Sequence, residues 1–398
     1  MGRSRNNKNR GRNKNKNVFV PRFNDNQNVE VAGRYKGVVE INEKNYGFAR
    51  EKDHEFSYEP SDPFLRPDEV KKHNLRPGLE IEGEYEEDER GHRHIYSIEK
   101  INGRDPMEWQ RATRFELQTP IMPNKHIELG IDPEDIEMRV MDLIAPIGKG
   151  QRGLLVAPPR TGKTVLLKKI AESLTKNHPD ISTGILLVDE RPEEVTDFIR
   201  STDAEVFASS NDKPTDSHIR ITELALGYVK RKAEMGDDAV LLIDSLTRLG
   251  RAYNNIQESS GRTLSGGLDI RALEIPKKIF GSARKIEGGG SLTIVATCLI
   301  ETNSRMDDLI FEEFKGTGNM EVVLDRELAN DRIYPAINIS ASGTRNEDKF
   351  IGDSMEERNM VRRYLLKKSP KESMQSLLKV LRNTDSNEEL LNQIAAMV

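Results

Sequence analysis

The chain has 398 residues, enough for two or three domains that each bury a core. Charged residues make up 32% of it, against about 25% in average globular proteins, and no stretch approaches the ~18 consecutive apolar residues of a membrane-spanning helix. The N-terminus has no apolar segment of the secretory type. The single cysteine, Cys298, cannot form an internal disulfide, which is typical of the reducing cytosol. We therefore expect a globular, cytoplasmic protein with no membrane association, in which Cys298 is an inert core thiol.

The first 30 residues form a basic, asparagine-rich segment that we predict to be a disordered tail. Residues 1–17 hold seven basic residues, six asparagines and no acid. Because the whole chain carries −5, the remainder carries −12. Such a tail is either a flexible arm attracted to nucleic acid or a solubilising leader, and its composition does not choose between them.

Residues 31–104 show the pattern of a small all-β barrel, with short strands between turn signals. The predicted strands are Gly37–Ile41, Tyr46–Arg50, Leu79–Glu86 and Arg93–Ile101. The stretch that follows, 105–135, holds four prolines and is predicted to be a linker with a helix around Met107–Phe115.

From residue 136 to residue 398 the pattern changes to strands alternating with helices. Four apolar runs are continuous rather than alternating, which is typical of parallel strands covered on both faces. These runs are Gly153–Ala157, Gly184–Val188, Ala239–Ile243 and Ser291–Leu299. Helical periodicity lies between them, as in Val165–Leu174, and returns from Ser354 onward. The sequence therefore predicts a barrel followed by an α/β domain.

The segment Ala157–Thr164 (APPRTGKT) follows one apolar run and opens an amphipathic helix. This context predicts a phosphate-binding loop, in which backbone N–H groups and a helix N-terminus meet the anion. Gly162 allows a close approach, Lys163 would reach the β- and γ-phosphates, and the Thr164 hydroxyl would ligate Mg²⁺. Alanine at 157, where the usual pattern has glycine, weakens the match, but the strand–loop–helix context outweighs it.

Two further apolar runs end in acids. Asp244 ends the run that begins at Ala239, where a Mg²⁺-associated acid belongs in this class of site. Asp189 and Glu190 follow the run that ends at Val188, and Glu190 is our candidate for the base that activates water. An equally good interpretation of the spacing makes both acids helix caps.

Ordered strings lie between Met141 and Arg345: Pro146–Gly153 (PIGKGQRG), the loop around Lys163, Val188–Val195 (VDERPEEV), Leu242–Arg248 (LIDSLTR), Phe314–Met320 (FKGTGNM) and Ser342–Arg345 (SGTR). Together they closely resemble the Rho family of transcription termination factors, which are ring-shaped RNA-dependent ATPases and helicases. The resemblance implies an α/β RecA-like P-loop ATPase domain preceded by a small all-β OB/cold-shock-like barrel.

The resemblance also implies roles for single residues. Lys163 and Asp244 would hold phosphate and Mg²⁺, Glu190 would be the base, and Arg345 would be the arginine finger on the neighbouring subunit's γ-phosphate. It implies ATP contacts for Pro159, Arg160, Thr161, Gly162, Thr164, Val165, Arg191, Arg332 and Tyr334, the last by stacking on adenine. A finger that acts in trans implies an oligomer, and in this family a homohexameric ring.

Two loops would then face the central channel, Ser259–Gly267 and Glu301–Asp307. Arg262 and Arg305 stand where the family usually has lysine, and Lys315 resembles a family lysine nearby. The substitution keeps the charge, but a guanidinium holds phosphate bidentately whereas an ammonium is a point charge.

Tyr46 and Phe48 share one face of a predicted strand with Arg50 nearby, an arrangement that single-stranded nucleic-acid binders use. Alternating aromatics are more often core residues than binding residues, so the pattern alone favours a core role. Resemblance to the family's RNA-binding module implies that Tyr46, Phe48, Arg50 and Phe64 form the primary RNA site. Seven acids in Glu80–Glu89 would repel RNA, and we expect them in a solvated hairpin on the far side of the barrel.

The activity implied by the resemblance is Mg²⁺-ATP-dependent translocation of single-stranded RNA, with a pyrimidine preference, and its release from RNA polymerase. The alternatives are a DNA recombinase, a rotary-type ATPase, or a non-catalytic RNA-binding scaffold. The barrel and the Rho-like strings argue against the first two. The intact set of Lys163, Glu190, Asp244 and Arg345 argues against the scaffold.

Overall fold

The computed structural model describes residues 31–52, 56–256 and 267–395. The predicted tail and Arg262 lie outside the described residues. Their predicted roles stay predictions.

A closed five-stranded barrel occupies the N-terminal part, in the order β1-β2-β3-β5-β4. Its elements are β1 Gly33–Ile41, β2 Gly47–Arg50, β3 Phe64–Leu65, α1 Pro67–Lys72, β4 Glu80–Glu87 and β5 Arg93–Ile101. Four of the five strands overlap the predicted ones, and β5 coincides with its prediction. The two-residue β3 was not predicted; it closes the barrel by pairing with β2 and, in parallel, with β5.

The proline-rich stretch contains more structure than a linker. It holds α2 Pro106–Arg111, a 3₁₀ turn Phe115–Leu117, β6 Pro120–Ile121 and β7 His126–Ile127. The strand β6 joins the large sheet of the α/β part, and β7 pairs with β8 (Ile147–Gly148). The second half of this stretch therefore belongs structurally to the α/β part.

The α/β part is built on a sheet in the order β11-β10-β12-β14-β9-β15-β16, with β13 and β6 at one side. Its strands are β9 Arg152–Ala157, β10 Ser182–Glu190, β11 Glu205–Ser210, β12 Asp238–Asp244, β13 Arg284–Ile286, β14 Ser291–Leu299, β15 Met320–Val323 and β16 Gly343–Thr344. The six strands from β11 to β15 in this order are parallel. The carboxyl ends of β9, β10 and β12 therefore meet at one edge of the sheet.

Helices cover both faces of this sheet. They are α3 Ile136–Ile144, α4 Lys163–Asn177, α5 Pro192–Ser201, α6 Thr215–Glu234, α7 Leu246–Ile256, α8 Glu274–Phe280, α9 Arg305–Lys315, α10 Arg326–Asn330, α11 Asp348–Ile351, α12 Met355–Leu365, α13 Pro370–Leu381 and α14 Asn387–Ala395. Successive residues of one strand point into different cores: Leu186 packs in one buried cluster and Leu187 in another. This double burial explains why the predicted strands are continuous apolar runs.

Cys298 is fully buried in β14, and burial raises the pKa of its thiol to about 12, as expected for an inert core residue. Of the helices that the structure describes, none is both long and apolar enough to cross a bilayer.

The barrel rests on α6. The approach is closest where Gly78, at φ +90°, meets Gly227: a Cβ on Gly78 would lie 2.1 Å from the Gly227 carbonyl carbon. Glycine at both positions is therefore what allows the two backbones to touch. Phe56 of the barrel stacks on Phe207 of β11, with 4.3 Å between ring centroids.

Candidate nucleotide and RNA sites

The predicted phosphate loop connects β9 to α4 at the carboxyl edge of the sheet. Gly162 has φ +91°, and α4 begins at the next residue, Lys163. Inside the loop, the Thr161 hydroxyl donates to the Pro158 carbonyl at 2.8 Å. Arg160 lies at the exposed tip with φ +66°. This is the strand–loop–helix geometry that presents backbone N–H groups to a phosphate.

Lys163, Asp244 and Glu190 come together at this edge, as the sequence predicts. The Lys163 ammonium donates to both carboxylate oxygens of Asp244 and lies 3.8 Å from Glu190 Oε1. Asp244 is completely buried and also accepts from the Thr297 hydroxyl at 2.8 Å. Three strands that are distant in sequence thus bring the ammonium and the two acids into one cluster.

A bulge in β10 directs Glu190. The pairing with β11 shifts between Val188 and Glu190, and Asp189 has φ +57°. Glu190 is 2% exposed, and its Oε2 is buried without a hydrogen-bond partner among the described residues. Burial, followed by the nearby charge of Asp244, raises the pKa of Glu190 above its usual range. A buried carboxylate with a raised pKa and an unpaired oxygen suits a base that receives a proton.

Thr164 and Asp244 fit a magnesium site. A hydroxyl and a carboxylate are the hard oxygen donors that Mg²⁺ prefers, and the ion usually takes its remaining ligands from phosphate and water. Within the described ranges there is no cluster of three or more His, Cys, Asp or Glu side chains that could hold a metal alone. The donors present therefore fit an ion that arrives with the nucleotide.

Tyr334 lies over the phosphate loop. A Cβ placed on Gly162 would be 3.7 Å from its ring, and 42% of Tyr334 is exposed. The ring is therefore open on the side that a base could occupy. Three other predicted ATP contacts are also exposed. They are Val165 in the first turn of α4, Arg191 just before α5, and Arg332 two residues before Tyr334.

Arg345 lies at the opposite edge of the sheet from the phosphate loop. It follows β16, whose Thr344 pairs with Met320, and Met320 lies opposite Gly153 at the start of β9. The loop begins after Ala157, four residues later, a distance of about 13 Å along the strand. Arg345 is exposed. Because of this distance along the strand, the Arg345 side chain does not reach the nucleotide site of its own chain.

Lys315 lines the same cavity as Arg345, with a volume of about 240 Å³. Glu321 also lines it, and the pKa of this carboxyl is raised by burial, against the opposing charges of Lys315 and Arg345. Arg305 is exposed at the first residue of α9, and this end of the helix is tied to α7, because Asp307 accepts from Arg251 at 2.9 Å.

An aromatic cluster forms where the sequence predicts the RNA site. The Tyr46, Phe48 and Phe64 rings contact one another with centroids 5.5 to 6.2 Å apart. Tyr46 and Phe64 are each 7% exposed, so they support the cluster from below. Tyr58, which no sequence pattern indicated, lies 6.3 Å from Phe48 and is 63% exposed. Phe48 and Tyr58 therefore offer the ring surface that a base could reach.

Arg50 is not free to meet a phosphate, in contrast to its predicted role. It is 5% exposed, and its guanidinium pairs with Glu40 and Asp62 at 2.5 Å each. Its Cζ lies 4.7 Å from the Phe48 ring centroid and 5.1 Å from that of Tyr58. In this structure Arg50 holds the two rings rather than facing solvent.

The acidic strand β4 is separated from β2 in the barrel, as expected, but it is not simply solvated. Glu80 is buried and pairs with Lys232 of α6 at 3.1 Å. Lys36 pairs with Glu82 at 3.0 Å, and Arg66 pairs with Glu86. These acids are largely neutralised by barrel and α6 cations, so their repulsion of RNA is weaker than their number suggests.

Arg248 also belongs to the nucleotide site, although no sequence pattern predicted a role for it. Its Nη1 lies 2.8 Å from Glu190 Oε1 and donates to the Asp189 carbonyl. The sequence signal for Arg248 was its place four residues after Asp244, inside the string Leu242–Arg248.

The fold and these sites define a class: a RecA-like P-loop ATPase that carries an aromatic nucleic-acid-binding barrel. Comparison with family models agrees for both parts. Residues 137–344 match the nucleotide-binding domain of the ATP synthase alpha/beta family. Residues 35–107 match the RNA-binding domain of the Rho termination factor. The second match favours the RNA-binding class over the rotary ATPases and the DNA recombinases considered above.

Curated relatives cover nearly the whole chain. The transcription termination factor Rho of Aquifex aeolicus is 47% identical over 91% of this chain and 84% of its own length. Rho proteins of Cereibacter sphaeroides and Pseudomonas aeruginosa are 44% and 43% identical, each over 92% of this chain and 88% of their own. The chain belongs to the Rho family of transcription termination factors, and it is an RNA-binding ATPase of that type.

Solved structures share the fold at lower similarity. An ATPase from the type III secretion system of pathogenic bacteria superimposes with a TM-score of 0.57 at 21% identity, over 71% of this chain and 88% of that one. An ATP synthase subunit from Nanoarcheaum equitans superimposes with a TM-score of 0.57 at 16% identity, over 70% of this chain and 77% of that one. These likenesses concern the fold alone.

Proposed function

We propose that this protein is a Mg²⁺-ATP-dependent RNA translocase and 5′–3′ helicase that terminates transcription in the cytoplasm. Its copies form a homohexameric ring that threads single-stranded, pyrimidine-rich RNA and releases it from RNA polymerase. The observation that carries the proposal is the union, in one chain, of an open aromatic surface on the barrel with the Lys163–Asp244–Glu190 cluster. The scaffold alternative leaves the raised pKa and unpaired oxygen of Glu190 without a use.

The chemical step uses groups at the carboxyl edge of the sheet. Lys163 and the N-terminus of α4 bind the β- and γ-phosphates, and Tyr334 stacks on the adenine. Glu190 orients the attacking water and accepts its proton, while Arg248 keeps the carboxylate in place. Thr164 and Asp244 would hold Mg²⁺, and the chemistry supplied by that ion would be positive charge for the oxygens of the transferred group.

The contribution to a neighbouring subunit's site comes from the end of the sheet opposite the phosphate loop, where Arg345 lies. Because Arg345 lies at the end of the sheet away from its own loop, a neighbouring copy arranged head to tail is the partner it suits. Its planar, permanent charge would stabilise the transferred phosphoryl group there. Arg262 and Arg305 would grip the RNA backbone in the channel, with Lys315 close by.

The proposal is tested by ATP hydrolysis of the full chain with and without poly(C), using three proteins: wild type, Glu190→Gln, and the double variant Phe48→Ala/Tyr58→Ala. We expect strong stimulation of the wild type, no hydrolysis by Glu190→Gln, and a higher poly(C) requirement for the double variant. A rate indifferent to RNA would separate the nucleotide site from the barrel. It would also remove the proposed mechanism of termination.

A further inference from the structure

Glu40 is shared between the barrel and the α/β part. It is the second-last residue of β1 and lies directly opposite Phe48 in the strand pairing. One of its oxygens accepts from Arg50 Nε at 2.5 Å and from Arg220 Nη2 at 2.8 Å. The other accepts from Arg220 Nε at 2.5 Å. Arg220 belongs to α6, so a helix of the α/β part supplies a two-pronged cation to a carboxylate of the barrel.

The same guanidinium also reaches the segment that carries Tyr58. Arg220 Nη2 donates to the Phe56 carbonyl at 2.8 Å, two residues before Tyr58. The Phe56 side chain is fixed in turn by its stacking on Phe207. These two contacts of the segment therefore come from the α/β part.

Arg50 continues the chain of contacts to the rings. Its guanidinium lies between the carboxylates of Glu40 and Asp62 and packs on Phe48 and Tyr58. Burial alone would raise the pKa of Glu40, but the hydrogen bond from Arg220 and the charge of Arg50 lower it below the usual range. Two cations and two carboxylates thus balance, and removing one cation would leave half-buried negative charge uncompensated.

Other interdomain ion pairs end without such a connection. Lys232 pairs with Glu80 on the acidic strand, and Arg104 pairs with Asp237. The first pair fixes the barrel to α6 and the second to the turn after α6, yet neither pair touches an aromatic ring of the cluster in the described contacts. The Arg220 ion pair differs from these two because its partner, Glu40, also accepts a hydrogen bond from Arg50.

We propose that Arg220 is a positioning residue for RNA binding: through Glu40 and Arg50 it sets the Phe48 and Tyr58 rings in the geometry that receives bases. This inference rests on the proposed function, in which these rings bind RNA. Arg220 touches no base in this account; it acts from the α/β part on a surface of the barrel.

The test is the affinity of the full chain for a fluorescent ten-nucleotide oligocytidine, measured by anisotropy. We expect Arg220→Gln to weaken binding at least about tenfold, since a hydrogen bond to a charged group typically contributes that factor or more. Arg220→Lys keeps the charge but not the fork, and should lie between Arg220→Gln and wild type. Arg104→Gln is the matched control: it also removes an interdomain arginine from a carboxylate, and it should stay within about twofold of wild type.

Two further readouts separate positioning from other roles. The first is the slope of log Kd against log salt concentration. If Arg220 contacted a phosphate directly, Arg220→Gln would reduce the magnitude of that slope by about 0.7 for single strands, whereas the loss of a positioning residue leaves the slope unchanged. In the Tyr58→Ala background, Arg220→Gln should lose most of its effect. A changed slope, or a full effect without the ring, would overturn the inference.

The results distinguish a failure of the proposed RNA site from a failure of the positioning role of Arg220. If Phe48→Ala/Tyr58→Ala binds oligocytidine like wild type, the proposed RNA site itself is wrong. If that variant is weakened while Arg220→Gln matches Arg104→Gln, the RNA site stands and the positioning role is refuted. If all three arginine variants lose RNA affinity equally, and lose thermal stability as well, Arg220 only holds the barrel against the α/β part and the positioning role is refuted.

Discussion

The guanidinium of Arg248 lies 2.8 Å from the Glu190 carboxylate, whose second oxygen is buried without a hydrogen-bond partner among the described residues. Arg248 fixes one oxygen and leaves the other available. Since Lys163 also lies 3.8 Å from the fixed oxygen, the side chain has little freedom to turn. This arrangement gives the base a defined direction before any substrate binds.

Replacing Glu190 by glutamine should abolish hydrolysis but not nucleotide binding. The amide keeps the shape and cannot accept the proton, so we expect kcat to fall by about 10²- to 10⁴-fold. Affinity for a fluorescent ATP analogue should stay near that of wild type. The control is Glu193→Gln, an exposed acid in the first turn of α5, which should leave kcat unchanged. Equal loss in both variants would refute the assignment of the base.

The pH profile should report the raised pKa of Glu190. Burial and the charge of Asp244 raise it, and a base works only when deprotonated, so activity should fall on the acid side at a higher pH than an ordinary glutamate would give. Arg248 lowers this pKa by its charge. Arg248→Gln should therefore move the acid limb to still higher pH.

Rates of RNA-stimulated hydrolysis across pH check this shift. Arg200→Gln, an exposed arginine on α5, serves as the control and should keep the wild-type limb. An Arg248→Gln profile that moves to lower pH, or does not move, would show that another group titrates.

Mixing inactive variants tests whether Arg345 acts in trans. Lys163→Ala and Arg345→Ala should each lack activity alone. In a randomly mixed ring, about a quarter of the interfaces pair an intact loop with an intact finger, because one partner supplies each. RNA-stimulated hydrolysis should then recover to a fraction of that order. No recovery on mixing, with subunit exchange verified by labelled chains, would place the finger in cis.

Local patterns predicted the elements whose limits are marked by turns. The strands β5 and β14 have the predicted bounds, since Gly91, Gly103 and Gly288 mark turns beside them. The two-residue β3 carries no local signal, because its pairing with β2 and β5 is made entirely by distant residues.

Side-chain roles were predictable only where the backbone alone sets them. The Lys163–Asp244 pair follows from parallel strands that end at one edge. The choice between base and cap for Glu190 depends on the bulge at Asp189, which the pairing with β11 creates. The burial of Arg50 depends on partners 10 to 12 residues away in sequence, and its alignment depends on Arg220 in another part of the fold.

Alanine at Gly78 should loosen the barrel from α6. The residue has φ +90°, and its Cβ would overlap the backbone of Gly227 at 2.1 Å, so one part must move away from the other. Gly91 is the matched control, with φ +78° and nothing within 4 Å of a Cβ. Gly91→Ala should cost about 1 kcal/mol of backbone strain, whereas Gly78→Ala should add about 1–3 kcal/mol of overpacking.

Thermal unfolding and oligocytidine affinity measure the two consequences. We expect Gly78→Ala to lower the first unfolding temperature more than Gly91→Ala does, and to weaken RNA binding because Arg220 no longer meets Glu40 in register. Gly91 lies in the turn between β4 and β5, so its variant should bind RNA like wild type. Unfolding temperatures that match in the two variants would mean that the Gly78–Gly227 approach contributes nothing to docking.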